Sequence, residues 1–284
     1  MSEWTPRILL ACAVLCVGAS PGAAQQWESR TLSRAFNGER ALEVDVEYGA
    51  GTLRIAPGRA GSLYHAALRY DASAFEPRTA YEDGRLRIGL EGEQIRGRKV
   101  RGGNLTLELG PDVPLELDLA FGAAEAELEL GGLALQSLEI STGASSTVLS
   151  FSSPNTIEAE SISLEVGAAR FEARGLGNAR AHALSVEGGV GEIDLDFSGA
   201  WSHDLDATVE MGLGKLTLRL PRGLGIRLEK DGLLTKIDGS GLVRRGDVYY
   251  SENFDAAERK LTVDVDAAFN AIQIVWVGSL QATP

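Results

Sequence analysis

Gly212-Leu213-Gly214-Lys215, entered from Val209-Glu210-Met211, has the residue types of a phosphate-binding loop. Such a loop requires GxxxxGK[ST], so that successive backbone N–H groups cradle the phosphate and a helix N-terminus faces it. Here Val209, not glycine, stands five residues before Gly214, and alternating strand-like sequence follows Lys215. The stretch reads as a corner in the chain. Carboxylates come next. Glu165, Glu187 and Glu210 each stand two residues before a glycine, Gly167, Gly189 and Gly212. If those glycines are equivalent places in a stacked structure, the three acids form a column. Carboxylates a few ångströms apart can bind calcium or act as an acid–base pair on a polysaccharide. The plainer alternative is a solvated face, with Arg170 and Lys215 folding back to pair with Glu165 and Glu210. The three glutamates are therefore metal candidates, and no cofactor is implied. Histidine offers less: His65, His182 and His203 lack the HxH or HExxH spacing of a zinc site. Ser202-His203-Asp204 contains the three members of a hydrolase relay, but neighbours on a strand point to opposite faces, and no GxSxG is present. No catalytic residue is assigned, and the expectation is a protein that is not an enzyme.

The elements that would position these groups are strands. Runs such as LEVDVEYG, LELDLAFG, EIDLDFSG and LTVDVD alternate apolar with polar residues and are separated by glycine, the pattern of half-buried strands. Aligned on Gly122, Gly143, Gly167, Gly189 and Gly212, they recur at intervals of 21, 24, 22 and 23 residues. Apolar residues fall three places before each glycine and mostly one before and four, six and eight after it, Thr142 and Gly188 being the exceptions one place before. Gly49 and Ala268 fit the same template. Inward positions one before and four after the glycine are an odd number apart, so the chain must turn or bulge between them. Glycine is expected there for the unusual dihedral angles such a corner demands.

Side-chain size kept at equivalent places is what stacked rungs require, whereas a hairpin meander requires complementary partners. The expected fold is all-β: a small N-terminal β unit followed by a single-chain right-handed parallel β-solenoid of about 22-residue repeats. The expected divisions are a signal peptide over 1–24, a leader or linker over 25–41, the β unit over 42–114, the solenoid over 115–278 and a tail over 279–284. Tyr249, Tyr250 and Phe254 are expected to close the last rungs.

The N-terminus reads as a secretory signal: Arg7, an apolar core from Ile8 to Val17, then small residues ending at Ala24, with cleavage expected before Gln25. A lipobox-like Leu9-Leu10-Ala11-Cys12 is the minor alternative. Both cysteines, Cys12 and Cys16, lie in this segment, so the exported chain would fold without disulfides. The net charge of −13 disfavours nucleic acid and anionic membrane as partners. One basic stretch breaks the trend: Arg96, Arg98, Lys99 and Arg101, flanked by glycines, form a candidate loop for an acidic partner or anionic glycan.

LELDLAFGAAEAELELGGLALQSLEISTGAS, SLEVGAARFEARGLGN and LSVEGGVGEIDLDFSG resemble the toastrack, or LiaF-like, group of β-solenoid domains, often labelled adhesins or domains of unknown function. LPRGLGIRLEKDG and the segment from Leu42 to about Leu109 resemble its end and its N-terminal unit. Ala267-Ala268-Phe269-Asn270 departs from the Gly-rich corner that closes the last rung in that group. The resemblance implies envelope stress sensing through protein contacts, although those proteins usually carry membrane helices that this chain lacks. The functional expectation is an exported scaffold or adhesin-like protein binding a protein or glycan of the cell envelope. The alternative is a calcium-assisted carbohydrate-binding protein, lyase or glycosidase on the acidic column.

Overall fold

The computed structural model describes residues 26–92, 102–231, 236–238 and 241–279. The signal segment and the basic loop bearing Arg96, Arg98, Lys99 and Arg101 lie outside the described residues. Each central repeat forms one long strand: β7 (Pro114–Glu129), β10 (Ala159–Arg174), β11 (Ala181–Asp196) and β12 (Leu205–Arg222). The repeat between β7 and β10 divides at its corner into β8 (Ala134–Thr142) and β9 (Ser146–Ser150). All pair in parallel with their neighbours. Gly122, Gly143, Gly167, Gly189 and Gly212 thus fall in one column, because the residues flanking each are paired. The result is a parallel solenoid whose rungs have two arms meeting at the glycine, the first arm before it and the second after it.

Alternation builds the core. Along the first arm Leu119, Ile140, Leu164, Val186 and Val209 stack as buried residues, and along the second Leu128, Leu149, Ala173, Leu195 and Leu218 do the same. Each fully buried Leu or Ile contributes about 1.5–3 kcal/mol relative to exposure, so the repeat itself carries the stability that disulfides would otherwise supply. One rung brings polar groups inward, Thr142 and Thr147, and Ser145 Oγ satisfies both at 3.0 and 3.1 Å. Between rungs, buried Asn155 bonds both the N–H and the C=O of Leu135, at 2.8 and 2.7 Å. Asn178 similarly joins Phe151 O to Ala200 N.

At both ends the order in space departs from the order in sequence. β2 (Leu42–Pro57) is itself a rung, stacked on β7 with Tyr48 opposite Phe121. Its other side is covered by a terminal rung made of β5 (Arg85–Gly92) and β6 (Gly103–Leu109). The far end mirrors this. β17 (Lys260–Ser279) is inserted between β12 and a terminal rung of β13 (Gly225–Asp231) and β14 (Lys236–Asp238). Ala268 falls opposite Gly212, as the template requires. Antiparallel strands then cover the terminal rungs. β1 (Trp27–Ala35) pairs with β3 (Ser62–Asp71), which pairs with β6, and β4 (Phe75–Glu82) pairs with β5. β15 (Leu242–Arg245) and β16 (Val248–Ser251) form a hairpin on β13. A parallel stack left open would present rows of unpaired backbone groups for aggregation, and the antiparallel strands pair with β5, β6 and Arg227–Glu229 of β13 at its two ends. Tyr250 and Phe254 meet edge-on at 5.0 Å at this covered end.

The corner glycines differ from expectation in their physical reason. None has a left-handed backbone. What excludes a side chain is the rung below: a Cβ on Gly122 would meet Gly49 O at 2.5 Å, and one on Gly212 would meet Gly189 O at 2.6 Å. The unusual dihedrals lie two residues later, at Gly51, Gly191 and Gly214, with φ of 126, 150 and 149°.

Candidate functional site

The two arms present different outer faces. On the second arm, acids and bases are paired: Arg54 with Glu127 at 3.0 Å, Arg170 with Glu192 at 3.2 Å, and Arg219 with Asp194 by a two-pronged bond of 2.7–2.8 Å. Arg174 likewise bonds Glu172 and holds its carboxyl below the usual range. Arg170 therefore reaches sideways to the next rung and not back across the corner to Glu165, as the sequence had suggested it could.

The first arm is acidic. Its three outward columns begin on β2 with Glu43, Asp45 and Glu47 and continue on β7 with Glu116 and Asp118. Serine and threonine fill the middle, as in the row Ser163, Ser185 and Thr208. In the column nearest the corner, Glu165, Glu187, Glu210 and Asp266 are opposite one another on consecutive rungs. Glu165 accepts from Ser141 Oγ at 3.0 Å. Among the described residues, no ion pair or side-chain hydrogen bond engages the carboxylates of Glu187 and Glu210. Like charges at one-rung spacing repel, so the column is electrostatically open to a cationic partner. Among the described residues no three His, Cys, Asp or Glu side chains come together as a metal-binding set.

Bases return at the ends of this face. Arg85 pairs with Glu43 and Arg87 lies 3.4 Å from Asp45, while Arg227 bonds Asp264 at 3.0 Å. β4 rises beside the first arm at the N-terminal end, and the space it encloses is a groove of about 820 Å³. It is lined by Glu43, Asp45 and Glu47 of β2 and Asp118 of β7, with Arg85 and Arg87 of β5 beside them and Arg78 of β4. Partial burial, and then the charges of Asp45, Glu47 and Glu43, raise the Asp118 carboxyl above its ordinary value. A second hollow of about 480 Å³ continues along the corner past Gly49, Gly122 and Gly143 to Glu165. The two share Glu47, Arg78, Gly89 and Ala120.

Other sequence candidates are placed as follows. Gly212–Lys215 lies inside β12, paired on both sides, with no helix following. His203 Nδ1 lies 2.8 Å from the Asp204 backbone oxygen, Ser202 Oγ accepts from Arg180, and Asp204 Oδ1 accepts from Lys260 N, so the three side chains form no relay. The structure does bring two histidines together: the His182 and His203 rings stack at 4.1 Å, with Glu158 3.4 Å from His182 Nε2. The two histidines are 21 residues apart, two fewer than the 23 that separate Gly189 from Gly212, so the register of the repeat does not pair them. His65 stands apart on β3, opposite Ser33 and Glu108.

No curated protein matches the sequence. Among solved structures, the chain is similar to a proposed cell adhesion protein from Clostridium sporogenes, with 17% identity and a TM-score of 0.45 over 89% of this chain and 100% of that one. It is also similar to a proposed adhesin from Bacteroides fragilis, at 14% identity and a TM-score of 0.44 over 89% and 98%. A proposed lipid binding protein from Parabacteroides distasonis gives 11% and 0.38 over 91% and 97%. The family model for the N-terminal domain of toast_rack, DUF2154, matches residues 23–174 and again 155–219, more than half of the sequence. The chain belongs to the toast_rack family.

Proposed function

We propose that this protein is an exported, non-enzymatic scaffold of the cell envelope or cell surface, adhesin-like in mode, that binds a cationic macromolecule through the outer face of its first arm. The observation that carries this reading is the difference between two faces built from the same repeat. On the second arm Glu127, Glu172, Glu192 and Asp194 are held by arginines, whereas on the first arm, among the described residues, no ion pair or side-chain hydrogen bond engages Glu187 and Glu210. A flat array of carboxylates and hydroxyls, about 4.8 Å apart from rung to rung, suits an extended surface better than a single small molecule. Export and cleavage after Ala24 belong to the same proposal, and the intact mass of protein from a secreting host checks them.

The binding test is affinity capture of the exported chain from its own envelope fraction, with and without chelator. Three baits are compared: the wild type, a first-arm variant (Glu165→Gln, Glu187→Gln, Glu210→Gln) and a second-arm variant (Arg170→Gln, Glu192→Gln). A partner retained by wild type and the second-arm variant but lost from the first-arm variant is expected. Equal capture by all three would refute the assignment of the face, and loss caused by chelator would replace it with a metal-dependent site.

A further inference from the structure

The residue that follows each corner glycine points outward. In register these are Ala50, Ala123, Ala168, Val190 and Leu213. Their size grows toward the C-terminal end, where Val190 and Leu213 are 54% and 52% exposed. Exposed Val and Leu side by side on neighbouring rungs make a continuous apolar ridge, a feature that soluble surfaces rarely keep without a partner. The ridge is bare by construction. Gly191 and Gly214 flank it on the second-arm side, and both have left-handed backbones on which a Cβ would lie 1.9 Å from a carbonyl oxygen of the preceding rung. No side chain can be placed there to shield the ridge. On its first-arm side run the carboxylates of Glu187 and Glu210.

We infer that this corner, an apolar ridge beside an acidic rail, is the docking surface for a basic amphipathic α-helix of a partner protein, lying along the axis of the stack. The spacing selects the helix. Rungs repeat at about 4.8 Å, and residues three apart on a helix rise by about 4.5 Å. Alternate residues of an extended strand repeat at about 6.7 Å and lose register within two rungs. A helix with Lys or Arg at i, i+3 and i+7 sets those cations against successive carboxylates, and an adjacent apolar stripe covers Val190 and Leu213. Charge excludes the other occupants. A second copy of this chain, itself at −13, would bring acids to the rail, as would an anionic membrane. The inference rests on the proposed binding role of the first-arm face and specifies the shape and chemistry of what binds.

The test uses the exported full-length chain and a synthetic Leu/Lys amphipathic helix of about 18 residues, with a scrambled peptide of the same composition as control, read by fluorescence anisotropy. Wild type is expected to bind the amphipathic peptide at least about tenfold more tightly than the scrambled one, and Val190→Ser with Leu213→Ser to lose about tenfold or more. Glu187→Gln with Glu210→Gln should weaken binding and flatten its salt dependence. Unchanged thermal melts for both double variants confirm that these surface changes leave the fold intact. Equal binding of the two peptides, or a ridge variant within about twofold of wild type, overturns the inference. If the glutamine variant still weakens binding in that case, the acidic face stands without the ridge; if neither variant matters, both readings fall. Self-association in sedimentation, or flotation with zwitterionic vesicles, that is lost in Leu213→Ser would instead give the ridge to a second copy or to lipid.

Discussion

Gly212→Ala adds one methyl group to a backbone that is not left-handed, so the substitution tests the corner's sterics alone. The added Cβ would lie 2.6 Å from Gly189 O, a backbone atom that cannot rotate away. An ordinary C···O contact needs about 3.2–3.4 Å, so two rungs must separate locally by about 0.6–0.8 Å, lengthening ladder hydrogen bonds on both arms. Overpacking of this kind costs about 1–3 kcal/mol, offset by about 0.4–1 kcal/mol from the lower entropy of the unfolded alanine chain. The expected net loss is about 1–2 kcal/mol. Gly49 supplies the control, because nothing lies within 4 Å of its missing Cβ; Gly49→Ala should be neutral or stabilising by up to about 1 kcal/mol. The other corner glycines follow their contact distances. Gly122 and Gly167, with contacts at 2.5 and 2.8 Å, should resemble Gly212, and Gly189 and Gly143, at 3.1 and 3.2 Å, should cost less. Gly214→Ala combines a 1.9 Å contact with φ of 149° and should exceed them all, at about 3 kcal/mol or more. Urea unfolding of the series measures the order, with hydrogen exchange at the corner amides to detect local opening in a structure whose rungs touch only their neighbours. A Gly49→Ala variant as damaged as Gly212→Ala would refute the steric account and restore the dihedral one.

Asn155→Ala should cost about 2–4 kcal/mol in the same urea assay, since it strands both backbone groups of buried Leu135. Glu129 is partly buried, which raises its pKa, but bonds from Ser150 Oγ, Ser152 N, Ser152 Oγ and Gly131 N outweigh burial and lower it overall. A depressed carboxylate stabilises the fold above its unfolded pKa and loses that contribution as pH falls through the folded value. Glu129→Gln should therefore destabilise at pH 7 by about 1–2 kcal/mol, with the gap from wild type closing in acid. Asp118 has the opposite sign: its raised pKa means that ionisation opposes folding as pH rises above the ordinary carboxylate value, so Asp118→Asn should be mildly stabilising at neutral pH and less so in high salt. Glu187→Gln should be neutral or slightly stabilising by thermal melt, and millimolar calcium should shift wild type no more than equal ionic strength does. A calcium-specific shift abolished in Glu187→Gln would make the column a cation site.

Much of the molecule was written in the sequence by itself. Alternation with a fixed phase break assigned inward and outward positions from Gly122 to Gly212, because side chains repeat every two residues on a strand and stacked rungs must match in size. It also aligned Glu165, Glu187 and Glu210, but not His182 with His203, whose separation of 21 residues falls two short of the local repeat. Tertiary structure alone decided the ends. β13 and β14 form a rung outside β17, and β5 and β6 form one outside β2, because a strand's order in a stack is set by which edge remains open and not by its place in the chain. The side chains' partners were likewise beyond the repeat: Arg170 can reach Glu165 or Glu192, and only the path of the corner selects Glu192. The purpose of the glycines was hidden for the same reason. A residue type reports that a side chain is excluded, and only the neighbouring rung shows that a carbonyl oxygen excludes it.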